Sequence, residues 1–505
     1  MPTRRDVLAG LAAAGIGAGP VRADPRPPPQ PILRAAWRDR LESFDPYRTP
    51  LRSALMLAHE LFDCLLDRDP ETFQFRPLLA QSWAPEGDRA LVFTLRPGVT
   101  FHDGQPFEAE DVVATVRAVL SDPRLAIPSN YSWLAGADAR GPDVVRLRLA
   151  HPFPAAADYI AMVLPILPRG VTEPDRRAAL AAAPVGTGPY RLSSRDSDGT
   201  LYLSAFEPTA APPPKGLATI RRLLIRQDSE RSGPFQDLLD RRADWMWQLT
   251  PAQARAVTAD QRLQVVRSES MRVFYLAFDA AGRGGLGIPF TRLDVRRAAC
   301  HAIDRDALAS DAAARPAIAP CAPTQFACDA SVAVRYDHDP GQSRALLAAA
   351  GFPDGIDTEL VTDAVPALAR AVAADLAEGG FRARLTILPA ADALARVAAG
   401  TAPLFLGSWG SSSINDISAF LPPFFEFGPL DTTRDSQLAS LLAEAELAAD
   451  PEQRRGLYQQ AIQRITDQAF FLPLFVDPST YGIARRLVFR PTPDELPRFY
   501  QMAWR

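Results

Sequence analysis

Few residues in this 505-residue chain have the types and spacings that covalent chemistry needs, and each such cluster can be tested on its own. His59-Glu60-Leu61-Phe62-Asp63 begins like the H-E-x-x-H zinc motif, but Asp63 stands where the second imidazole is required. Cys300-His301 lacks the first cysteine of a C-x-x-C-H haem attachment, Arg297 holding its place. Gly282-Arg283-Gly284-Gly285-Leu286-Gly287 fits G-x-G-x-x-G after an apolar run and is the best argument for a nucleotide enzyme. Pro289 and Thr291 follow before any helix, however, so no glycine sets a helix N-terminus against a pyrophosphate. There is no G-x-S-x-G elbow, and His102, His151 and His338 are scattered. No catalytic residue, metal site or cofactor is assigned.

Binding chemistry is better represented. The segment "LFLGSWGSSSINDISAFLPPFF" at 404–425 is an apolar run ending in an aromatic and polar loop. Ser411 to Ser413 and Asn415 offer neutral donors and acceptors suited to hydroxyls, amides or a sugar-like ligand. Trp37, Tyr131, Trp133, Trp245, Trp247 and Trp409 are flat apolar surfaces that could wall a pocket or fill a core.

Those residues need a scaffold, and the chain is long enough for at least two cores. A formal charge of -4 without long like-charged blocks argues against nucleic acid as a partner. Lys215 is the single lysine; no basic cluster accompanies it, and it is read as compositional bias. Thr3-Arg4-Arg5 before an Ala/Gly-rich apolar run and Val21-Arg22-Ala23 resembles a twin-arginine export signal over residues 1–23, followed by an exposed "DPRPPPQP" leader. Later apolar runs are too short to span a membrane, so a soluble exported protein is expected. Cys321 and Cys328 lie in "PCAPTQFAC", where a short disulfide and free thiols are both open, while Cys64 and Cys300 read as buried thiols inside helical patterns.

Leu91, Phe93 and Leu95 alternate with Val92, Thr94 and Arg96 as a strand does, and Val112, Val113, Val116, Val119 and Leu120 recur at helical spacing, with Glu108 as a mediocre N-cap. "ALMLAHELFDCLL" predicts a helix with Leu55, Leu57, Leu61, Phe62, Leu65 and Leu66 on its apolar face. Asp339-Pro340 and Asp450-Pro451 open two further helices, and Gly351 closes the first of them.

In order along the chain, "LLAQSWAPEGDRALVFTLRPGVTFHDGQPFEAEDV", "PVGTGPYRL", "PFTRLDVRRAACHAIDR" and "YDHDPGQSRALLAAAGFPDG" resemble the motifs of family five extracellular solute-binding proteins, the dipeptide, oligopeptide and nickel-binding type serving bacterial ABC importers. The resemblance implies an α/β, two-lobed periplasmic-binding-protein fold with a large inserted subdomain in the first lobe. Its expected divisions are first lobe 24–47, inserted subdomain 48–183, first lobe again 184–270, second lobe 271–476 and a return to the first lobe at 477–505.

It further implies a monomer in the periplasm that captures a small or peptide-like solute between its lobes and delivers it to an inner-membrane ABC permease. The expected ligand-binding residues are Trp409, Gly410, Ser411, Ser412 and Asp416, with Trp247, Trp37, Tyr131 and Trp133 as further pocket candidates. Peptide-binding members place an aspartate where Ser412 stands, to pair with the peptide's α-ammonium. Its loss would remove a charge-assisted bond of about 1.5–3 kcal/mol, so an ordinary dipeptide is not expected. Without a histidine in the tryptophan loop, nickel is not expected either. The alternatives are an exported cofactor-dependent enzyme and a family member that binds or signals without transporting.

Overall fold

A computed structural model describes residues 32–228, 233–285, 287–364 and 366–505. The export signal and proline-rich leader lie outside the described residues. Two large sheets organise the chain. The first runs, in spatial order, Leu263–Ser268, Ser479–Ala484, Trp245–Trp247, Ile32–Trp37, Arg222–Gln227, Leu201–Ala205 and Tyr190–Arg195. Its centre is parallel: Ile32–Trp37 lies parallel to both neighbours, which puts Trp37, Trp247 and Gln227 at one edge. The carboxyl ends of parallel strands are where open α/β sheets present ligand sites.

The second sheet runs Arg315–Pro316, Phe471–Val476, Val273–Phe278, Leu404–Trp409, Ile356–Thr362 and Phe381–Ile387. Successive residues of Val273–Phe278 feed opposite faces: Val273, Tyr275 and Ala277 enter one buried cluster, Leu276 and Phe278 another. A sheet covered on both faces needs such continuous apolar strands. The chain passes between the two sheets twice, through 269–272 and 477–478.

A third sheet, antiparallel, orders Ala80–Pro85, Ala90–Leu95, Val144–Leu149 and Leu134–Ala139, with the helix Ala109–Leu120 against it. One continuous buried cluster joins this subdomain to the first sheet, uniting Leu33 and Ile225 with Phe93, Val112 and Trp133. The N-cap of Ala109–Leu120 is better served than its glutamate promised: Asp111 accepts the Glu108 backbone N–H at 2.8 Å, the return half of a capping box.

One predicted helix is too long. The helical pattern continues apolar to Leu66, but the helix is Arg52–Leu61, Phe62 is extended, and Cys64 therefore lies beyond it, while Leu66 starts a short strand. Tertiary contacts impose the stop. The Lys215 ammonium donates to the carbonyls of His59 (2.5 Å) and Phe62 (3.1 Å) and pairs with Asp63 at 3.0 Å. Gly188 presses on the same turn, where a Cβ would meet the Glu60 carbonyl oxygen at 2.5 Å. The lone lysine, read from sequence as incidental, thus satisfies carbonyls that a helix end leaves open. Burial opposes its charge, and Asp63 outweighs that, raising its pKa. His59 binds the Met162 carbonyl and is pushed by burial down to about 3. Cys321 and Cys328 are disulfide-bonded, and Cys64 and Cys300 are buried free thiols, each raised by burial to about 12.

Candidate ligand site

The strand Leu404–Trp409 pairs Trp409 with Val273 and then leaves the sheet. Its continuation turns sharply, with Ser412 (φ 48°) and Ser413 (φ 62°) both in the left-handed region. That backbone costs a non-glycine residue on the order of 1 kcal/mol or more. Contacts from outside the second lobe hold it. Arg68, wholly buried, donates to the Ser413 carbonyl and pairs with Asp158 at 3.1 Å, and the Ser413 hydroxyl donates to the Asp494 carbonyl. Ile414 is completely buried in the core that unites the first sheet with the inserted subdomain.

Beside this bridge lies a cavity of 120 Å³ with walls from two units. Trp409, Ser411, Ser412, Ser418, Glu426 and Glu446 come from the end of the strand Leu404–Trp409 and the chain after it, and Asn130, Phe153 and Tyr159 from the segment around the third sheet. The Trp409 indole N–H donates to the Ala419 carbonyl at 3.2 Å, and its ring stands edge-on to Phe424, which fixes it as a wall. The Ser411 hydroxyl donates to the Ile414 carbonyl, leaving the half-buried Ser412 as the serine with its side chain at liberty. Glu426 is the unusual member: its Oε1 is buried with no hydrogen-bond partner, and burial, reinforced by Glu446, pushes its carboxyl up to about 7.

The predicted residues thus fall into four sets. Trp409, Ser411 and Ser412 line the cavity, and Gly410 lies beside them against the Arg272 guanidinium. Asp416 is instead committed to the interior: Arg454 grips both its oxygens at 2.6 and 2.8 Å, and it also accepts the Ser418 backbone N–H. Tyr131 and Trp133 belong to the core of the inserted subdomain, the hydroxyl donating to Val163 and the indole to Asn130. Trp37 and Trp247 sit at the strand ends of the first sheet, away from this cavity, each with a buried indole N–H that has no partner. Sequence reasoning missed Ser418, Glu426, Glu446 and Tyr159; only their proximity in space marks them.

The glycine-rich segment has a structural use in its described residues. The Asp279 carboxylate accepts the N–H groups of Arg283 and Gly284, and the Arg283 guanidinium caps the carbonyls of Val397, Ala398, Pro429 and Asp431. The next helix, Leu293–Ala302, begins well beyond it. Among the described residues, no three His, Cys, Asp or Glu side chains are grouped to hold a metal ion, and no helix is long and apolar enough to cross a membrane.

The family model described as bacterial extracellular solute-binding proteins, family 5, middle, matches residues 74–429, most of the chain and all of the cavity loop through Glu426. The chain belongs to that family. Its curated relatives include the glutathione-binding protein GsiB of Salmonella typhi, 26% identical over 492 residues, covering 92% of this chain and 93% of that protein. The fold is shared with solved structures at lower identity. CtaP of Listeria monocytogenes superposes with a TM-score of 0.83 at 18% identity, covering 94% of this chain and 99% of that one. DppA of Helicobacter pylori, in complex with the peptide STSA, gives 0.80 at 20%, covering 94% and 98%. As in the family, the fold is two-lobed and the role is solute binding.

Proposed function

We propose that this chain is the periplasmic substrate-binding component of an ABC importer, exported through its twin-arginine signal and acting as a monomer without covalent chemistry. The first lobe comprises 24–47, 184–270 and 477–505, the inserted subdomain 48–183 and the second lobe 271–476. The two passages at 269–272 and 477–478 form the hinge. The observation that carries this reading is the cavity beside Trp409, whose walls come from two separate parts of the chain, 127–159 and 409–446. A solute contacting both walls favours the closed arrangement over the open one by the free energy of those double contacts, which is the requirement for ligand-driven closure.

Relatives in this family are named for glutathione and peptide ligands, which supports a small peptide-like or similarly polar solute. The decisive experiment purifies the protein from its native periplasm, identifies retained small molecules by mass spectrometry, and adds each back to stripped protein. A true solute raises the Tm and shrinks the radius of gyration in solution scattering. A protein that retains a solute yet never compacts on binding it, or one that instead retains a stoichiometric flavin or haem, would remove the proposal.

A further inference from the structure

Among the described residues, Glu426 and Glu446 are the only charged side chains lining the Trp409 cavity, and no lysine or arginine lines it to neutralise them. Nearby carboxylates have partners: the buried Asp416 has Arg454, and the half-buried Asp435 has Arg464 at 2.7 Å. Glu426 Oε1 is sealed from solvent and accepts no hydrogen bond. Ser418 also lines the cavity; it is 6% exposed, and its Oγ has no hydrogen bond in good geometry, with only the Tyr159 hydroxyl beside it. Glu446 faces His151 at 3.6 Å, outside hydrogen-bond reach. The rings of Trp409, Phe153 and Tyr159 complete the walls.

An unpaired buried carboxylate oxygen and an unpaired buried hydroxyl both cost free energy in the empty protein, and a cation satisfies both charge and hydrogen-bond demand at once. Aromatic faces add attraction for ammonium and guanidinium groups. At 120 Å³ the cavity has room for a small head group. We infer that this cavity is a subsite for a positively charged head group of the solute, an amine or guanidinium, held by Glu426 with Glu446 beyond it. The inference rests on the solute-binding reading and specifies the chemistry of that same site.

The probes are agmatine, putrescine and butylguanidine, with butylurea as the uncharged isostere of butylguanidine, followed by thermal shift and tryptophan fluorescence on the full-length mature protein. At least one cation should raise the Tm and perturb the fluorescence while butylurea does not. Glu426→Gln, checked for native circular dichroism, should weaken that cation tenfold or more, and Glu446→Gln should weaken it less. For wild type, cation affinity should fall as pH is lowered from 8 to 5.5, where Glu426 takes up its proton, Glu446 and the His151 beside it being the other titratable groups at the site; Glu426→Gln should flatten the dependence. Equal binding of butylurea and butylguanidine, unchanged cation affinity in Glu426→Gln, or no response to any cation at millimolar concentration overturns the inference. A retained native solute without positive charge overturns it too while leaving solute capture standing, whereas absence of any retained or added solute counts against capture itself.

Discussion

The loop that follows Trp409 has two sides with opposite treatment of their carboxylates. On one side, Asp416 is held by Arg454, Phe326 lies under that guanidinium at 5.0 Å, Gln325 donates to the Ile414 carbonyl, and the Cys321–Cys328 disulfide closes the segment that supplies both. On the other, Ser418 is buried and Glu426 half-buried, and Ser418 Oγ and Glu426 Oε1 are unpaired. Unpaired neutral atoms occur on both sides, Thr324 Oγ1 and Asn415 Oδ1 among them, so the contrast is one of charge: the carboxylate of Asp416 is held by a guanidinium and that of Glu426 is not. The contrast separates the part of the loop that is framework from the part reserved for a partner not in the chain.

The framework side should break hardest. Arg454→Leu strands a buried carboxylate and should cost about 3–5 kcal/mol in urea unfolding, whereas adding Asp416→Leu should restore much of the loss. A double mutant as weak as the single would mean that Arg454 serves mainly Phe326 and the Ala445 carbonyl. Next, replacing both Cys321 and Cys328 by serine should cost roughly 2–3 kcal/mol, from the chain entropy of a loop with a sequence separation of 7. Proteolysis should then cut first near 321–328.

Smaller still is Ser413→Ala, which removes one bond between the loop and the Asp494 carbonyl, worth about 1 kcal/mol. Its effect should fall on closure more than on Tm: scattering should show a larger radius of gyration without ligand. An unchanged radius would mean that Ile414 and Arg68 suffice to hold the bridge.

The smallest effect belongs to the reserved side. Glu426 is raised from an ordinary 4.5 to about 7, so the folded protein holds more proton than the unfolded one between those values, and stability falls as pH rises through that window. Glu60 and Asp158, also raised by burial, act in the same direction. Glu426→Gln should therefore reduce, not abolish, the loss of Tm between pH 4.5 and 7. An identical slope in the variant would show that Glu426 is solvated in solution.

What was legible in the sequence follows the same division. Local patterns named the strand ending at Trp409, the aspartate caps at 339 and 450, and the loop itself, because each depends on neighbours in sequence. Asp416 could not be told from a ligand contact, since its partner Arg454 lies on a helix that no local signal connects to it. Tyr131 and Trp133 show the same limit for aromatics: type fixes that a ring will be buried, not which surface it faces. Glu426 and Glu446 meet only after Ser436–Leu447 folds back, so neither could be paired beforehand. The overlong helix failed for a related reason, its stop being set by Lys215 from another segment.

That lysine has a practical corollary. It carries the only ε-amine in the chain, and its side chain is just 5% exposed. Amine-reactive coupling of the folded protein is therefore confined to the α-amino terminus, so every tethered molecule would present its cleft in the same orientation. Slow acylation at position 215 would in turn clock the rate at which the end of the helix Arg52–Leu61 breathes open.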